Sequence, residues 1–220
     1  MISGIDGSGK TTVAEMLKKY LGESGIQNVV IVDAMKGGCY TRQLRECFDN
    51  KDEIRSKFSP ELLNLTWSAD LVYTYENIVK PHINAGTHVI MHRSDLCCRV
   101  YSKLFSEDDT ISQKLIDTLE IQSDLHIYLD VMPDIAYRRI LIRNQNHPLV
   151  FKEKIECMRK AYELYQYYLK QRMYCRVKTI DTDGINWVGN NEIYNYINDI
   201  FEEVMYRNNK ITMKGREKVE

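Results

Sequence analysis

Eight residues near the start constrain this chain more than anything else in it. Gly4-Ile5-Asp6-Gly7-Ser8-Gly9-Lys10-Thr11 fits the pattern G-x-x-x-x-G-K-[ST]. The glycines let the backbone curl until successive N–H groups converge on one point. Val13, Met16, Leu17 and Leu21 then follow a 3.6-residue rhythm, which predicts a helix over Thr11 to Ser24. That helix aims its positive end at the same point. Such a loop cradles phosphates. Gly4, Gly7, Ser8, Gly9, Lys10, Thr11 and Thr12 are the candidate contacts. Lys10 reaches the outer phosphates, and the Thr11 hydroxyl is placed to ligate Mg²⁺. ATP is the expected ligand, because no guanine-reading N-K-x-D occurs. The competing reading is a plain glycine turn that caps a helix.

A phosphate loop needs a buried strand behind it and a sheet around it. The apolar runs Asn28 to Ala34, Thr87 to His92, Asp124 to Val131 and Arg176 to Thr182 suit strands buried on both faces. Between and after them lie helical patterns at Pro60 to Ala85, Pro133 to Arg143, Phe151 to Lys170 and Asn191 to Arg207, with Gly86 as a stop for the first. Strands alternating with helices predict an α/β fold: a parallel sheet with helices on both faces. Only Met1, Ile2 and Ser3 precede the loop. The first strand is therefore very short, or the true start lies upstream.

The remaining numbers bound the class. At 220 residues, with 44% hydrophobic and 28% charged residues, one domain, or one domain with a lid, is the expectation. We read residues 1–207 as that domain, with any lid near 143–154, and 208–220 as a polar tail. A formal charge of -1 lacks the basic excess of a general nucleic-acid binder. No apolar run is long enough to span a membrane, so a cytoplasmic protein is expected. Six cysteines include no C-x-x-C pair, which fits reduced thiols and argues against zinc.

The wider pattern is more specific. "GIDGSGKTT", then Gly37-Gly38, then "SADLVYTYENIVKPHINAGTHVIMHR" and "LHIYLDVMPDIAYRRILIR" together resemble the thymidylate kinase family, to about Asp181. The resemblance implies a P-loop kinase fold with a five-stranded parallel sheet and a lid over ATP. It also implies a homodimer and phosphoryl transfer to a nucleoside monophosphate. Asp6 falls where the family places an acid near the acceptor sugar and the magnesium. Arg93 falls on the arginine that grips a phosphate; a surface salt bridge is the plainer reading. Trp67 falls where an aromatic stacks on the acceptor base, or is a core tryptophan. Tyr101 falls in the same acceptor block. Arg139 and Arg143 open the lid, where Arg143 would lie against adenine or its phosphates; helix-surface charge is the alternative.

Four departures stand out. His92 replaces the aspartate that precedes the phosphate-gripping arginine. Leu71 and Ser102 occupy the positions of a base-reading arginine and glutamine. A site without those readers loses strict thymine selection, because selection of that kind rests on polar groups left unpaired by the wrong base. The lid lacks the usual D-R-x-E run, so Arg143, Lys152, Lys154 or Arg159 must supply its charge. "HRSDLCCRVY" is also similar to the E-R-S…R-Y block of deoxynucleoside kinases. On that reading Arg99 approaches the base and Asp33 takes a proton from a sugar hydroxyl; otherwise Asp33 is a turn aspartate. Three functions follow: a monophosphate kinase, a kinase for a hydroxyl-bearing small molecule, or a nucleotide-binding scaffold.

Overall fold

The computed structural model describes residues 1–34, 38–47, 56–119, 121, 123–144, 149, 153–171 and 177–184, with 195, 198, 199 and 202. The sequence's tail and most of its last helix and lid lie outside these residues.

Five strands form one parallel sheet in the order β2-β3-β1-β4-β5. They are β1 (Ile2–Ser3), β2 (Val29–Asp33), β3 (His88–His92), β4 (His126–Asp130) and β5 (Val177–Asp181). β1 is two residues long, yet it is the central strand and is fully buried. The strand period of two sorts β4 cleanly. Ile127 and Leu129 join Ile2, Val13, Val29 and Ile90 on one face; Tyr128 joins Ile5, Leu96, Val100 and Tyr165 on the other. The first face is covered by α1 (Lys10–Glu23), through Val13 and Ala14.

The other face carries α3 (Pro60–Thr74), α5 (Asp95–Phe105), α6 (Thr110–Asp117), α7 (Pro133–Arg143) and α8 (Ile155–Lys170). A short α2 (Tyr40–Cys47) follows β2. The helix expected over Pro60 to Ala85 is present but not uniform. It starts on Ser59, whose Oγ accepts the Leu62 N–H at 3.3 Å. It widens to a π-helical turn at Tyr75–Val79 and resumes as α4 (Lys80–Asn84). Pro81 has no N–H to give the helical ladder, and the widened turn lies just ahead of it.

The chain order places the C-terminal ends of β1, β2 and β3 together. The phosphate loop leaves β1, Asp33 ends β2, and His92 ends β3 with Arg93 next after it. Asp33 and His92 are partners in register across the parallel pair.

Candidate active site

The course of the loop after β1 is set by its glycines. Gly7 has φ 82°, and a Cβ there would lie 2.5 Å from the Ala136 carbonyl oxygen at the start of α7. Only glycine fits between the loop and that helix. No side chain caps α1 and its first turn holds no acid, so its N-terminal field is not neutralised by α1 itself. Thr11 and Thr12 are exposed there. The fully buried Ser8 Oγ has no hydrogen-bond partner among the described residues. Lys10 folds back over the loop, donating from Nζ to the carbonyls of Gly4 at 2.9 Å and Ile5 at 2.7 Å. These features fit the polyphosphate of a nucleotide with its cation. Among the described residues no cluster of three metal-binding side chains forms. Thr11 and Asp6 are the residues that would stand beside a Mg²⁺ brought in by the phosphates.

Asp6 links this loop to the end of β3. Its Oδ1 lies 3.8 Å from Lys10 Nζ and 3.5 Å from Arg93 Nη2. Arg93 Nε in turn lies 3.7 Å from Asp33 Oδ1. Burial works against the guanidinium charge, yet the two carboxylates overcome it and raise the Arg93 pKa above the ordinary arginine value. The Arg93 side chain keeps 27% exposure, so a ligand can reach it. Its backbone has φ 66°, the one positive φ at a non-glycine among the described residues. His92 is buried, with Nδ1 3.9 Å from Asp33 Oδ2. The neighbouring strand thus sets a carboxylate beside position 92.

An aromatic wall continues from this cluster. The tyrosine hydroxyl of Tyr101 is pushed well above its usual pKa by burial and by Asp6, with Arg93 opposing. Tyr101 stacks on Phe105 at 5.7 Å, and Phe105 meets Trp67 edge-on at 5.6 Å. Asp6, Arg93, Tyr101 and Trp67 therefore belong to one region spanning β1, β3, α5 and α3. Phe105 was missed by the sequence reading, although it lies one helical turn beyond Tyr101.

Three expected arginines behave differently. Arg99 is committed to the α5–α6 contact: Nη2 is 2.6 Å from Asp117 Oδ1 and Nη1 is 3.0 Å from Gln113 Oε1. Asp95 adds a 4.0 Å pair to its Nε. An arginine so held serves the helix pair. Arg139 donates to the carbonyls of Gly7 at 3.5 Å, Asp183 at 3.3 Å and Thr182, tying the phosphate loop to the turn after β5. Arg143 bonds Glu153 Oε1 at 3.1 Å, which joins two residues near the ends of the segment expected as a lid. Arg159 pairs with Asp134 at 2.9 Å on the surface, and Lys152 lies outside the described residues.

The chain matches the family described as thymidylate kinase over residues 2–184. It belongs to the thymidylate kinase family. The thymidylate kinase of Buchnera aphidicola subsp. Schizaphis graminum is 31% identical over 150 residues, 66% of this chain and 69% of that protein. That of Blochmanniella pennsylvanica is 28% identical over 170 residues, 72% and 79% of the two chains. The crystal structure of thymidylate kinase from Ehrlichia chaffeensis superposes with a TM-score of 0.65 at 20% identity, over 92% of this chain and 96% of that one. At that identity the likeness speaks to the fold, a P-loop α/β kinase. Family membership makes this chain a nucleoside monophosphate kinase, a phosphotransferase, and disfavours the hydroxyl-acceptor and scaffold readings.

Two departures from the thymidylate kinase pattern now have a structural meaning. Leu71 is fully buried among Val32, Val79, Met91 and Cys98, so position 71 is core here. Ser102 is buried too, and its carbonyl accepts from Asn64 Nδ2 at 2.9 Å. Among the described residues, no helix is long and apolar enough to cross a membrane.

Proposed function

We propose that this chain transfers the γ-phosphoryl of ATP to a nucleoside monophosphate, dTMP or a related nucleotide, with Mg²⁺ as the required cation. The observation that carries this reading is the meeting of Lys10 and Arg93 on the Asp6 carboxylate. It joins a donor-phosphate lysine to an acceptor-phosphate arginine at one point. ATP·Mg²⁺ supplies the phosphoryl group and the neutralising charge.

The chain's own residues do the positioning. The loop N–H groups, Lys10, Thr11 and Thr12 hold the donor. Arg93 grips the acceptor phosphate with a guanidinium aimed by Asp6 and Asp33. Asp6 also borders the acceptor sugar. Trp67, Phe105 and Tyr101 offer the acceptor an apolar wall. A phosphate acceptor is already ionised, so Asp33 needs no role as a base, and its contacts support an orienting one. Arg139 steadies the donor loop, and Arg143 carries positive charge into the lid. With Leu71 in the core and Ser102 buried, base choice rests on shape more than on hydrogen bonds. The work is done by a chain that operates away from membranes, as a homodimer.

An ATP-consumption screen against all nucleoside monophosphates, the matching nucleosides and a no-acceptor blank tests this. The expected result is turnover with at least one pyrimidine monophosphate, abolished by Lys10→Ala. Turnover with nucleosides alone would overturn it.

A further inference from the structure

We propose that Asp70, which lies in the quoted stretch from Ser68 but was given no role there, is a positioning residue that fixes Gly38 to Thr41, at the start of α2, beside the acceptor site. This rests on the kinase reading above.

Asp70 is fully buried on α3, one turn beyond Trp67. Both of its oxygens are used on the loop. Oδ1 accepts the Tyr40 N–H at 2.9 Å. Oδ2 accepts the Thr41 N–H at 2.8 Å and the Thr41 hydroxyl. These are the first N–H groups of α2, whose own first turn contains no acid. A carboxylate from another helix therefore caps α2 and complements its positive end. The backbone wraps directly onto this carboxylate: a Cβ at Gly38 would lie 2.1 Å from Asp70 Cγ. One turn further along α3, the Thr74 hydroxyl donates to the Ala34 carbonyl at 3.3 Å. Ala34 directly follows Asp33 and donates its N–H to the His92 carbonyl at 3.2 Å.

α3 thus holds the end of β2 through Thr74 and the start of α2 through Asp70. The end of β2 carries Asp33, which aims Arg93. The helix that holds both carries Trp67. A buried carboxylate is expensive unless its lone pairs are met, and here each oxygen meets a donor. With no exposure, Asp70 touches no substrate and acts through the loop.

Asp70→Asn keeps size but turns one oxygen into an NH₂ that faces an N–H donor. Gly38→Ala attacks the same contact from the loop side, and Thr41→Val removes only the hydroxyl bond. The measurements are steady-state kinetics with dTMP and with ATP varied in turn, melting temperature, and amide exchange over residues 38–47. The expected result is a KM for dTMP raised about tenfold or more in Asp70→Asn and Gly38→Ala. Thr41→Val falls between them and wild type. The KM for ATP stays within about twofold, and exchange accelerates in 38–47 but not in α1. Equal changes in both KM values with a general rise in exchange would mean a role in folding alone, and would overturn the proposal. So would an unchanged KM for dTMP in both Asp70→Asn and Gly38→Ala. A wild-type chain that phosphorylates no monophosphate overturns the kinase reading instead, a result distinguishable from these because it appears before any variant is made.

Discussion

At the scale of single residues, Arg93 concentrates the argument. A positive φ at a non-glycine costs about 1–3 kcal/mol and persists only where its surroundings enforce it. Here Asp6 and Asp33 hold the side chain, and the Arg93 N–H donates to the Ile2 carbonyl at 3.3 Å. Arg93→Ala is expected to lower kcat/KM for the monophosphate by about 10²-fold or more. Asp33→Asn should cost less than about tenfold, since Asp6 still aims the guanidinium; a loss as large as that of Arg93→Ala would restore Asp33 as a base. The Asp33–His92 pair makes a second prediction. His92→Asp puts two half-buried or buried carboxylates side by side in register. We expect a loss of about 1 kcal/mol, read from urea denaturation and recovered when Asp33→Asn is added. Additive losses in the double variant would count against a direct contact.

At the scale of elements, legibility followed local pattern. The phosphate loop, α1, the long helix from Pro60 and four of the strands could be read because their signals lie in contiguous residues. α5 could not. Asp95, Arg99, Ser102 and Lys103 recur at helical spacing, yet the first three are buried, so the polar side of this helix packs against other elements instead of marking a solvent face. α2 and α6 are eight residues each, too short for the pattern to stand out. The contact between the phosphate loop and α7 is likewise invisible in the sequence, although it explains Gly7. Gly7→Ala must move either the loop or the Ala136 carbonyl. Its expected cost is ~1–2 kcal/mol, or about 2–8 °C of melting temperature. ATP binding, measured by titration calorimetry, should weaken by at least about tenfold. Wild-type affinity in this variant would show that the loop yields without consequence.

At the scale of the whole molecule, the polar groups beneath the site tie the sheet together. Ser3 Oγ lies 2.7 Å from both Ser94 Oγ and His126 Nε2, linking β1, β4 and the chain after β3. Burial drives the His126 pKa down from 6.5 to about 3. Between those values the unfolded chain binds a proton that the folded chain refuses. Stability therefore falls as pH drops through that window, by up to about 1.4 kcal/mol per pH unit from this group. His126→Asn should flatten the loss between pH 6.5 and pH 5 in urea denaturation curves. Parallel pH profiles for the two proteins would rule this out.

The sequence by itself determined the phosphate loop with its Lys10 and the alternation of strands and helices, while the resemblance to the family gave Asp6, Arg93 and Trp67 their candidate roles. The loop and the alternation depend on neighbours along the chain, where spacing alone carries the physics. The tertiary structure decided the rest. It turned Arg99 toward α6, buried Leu71, set Asp33 against His92 and Arg93, and closed Asp70 onto the loop before α2. Each of these contacts joins distant residues, as Asp70 and Thr41 are 29 apart and Ser3 and His126 are 123 apart. Their meeting is fixed by strand register and by which helix covers which face, and neither is written in any single stretch of residues.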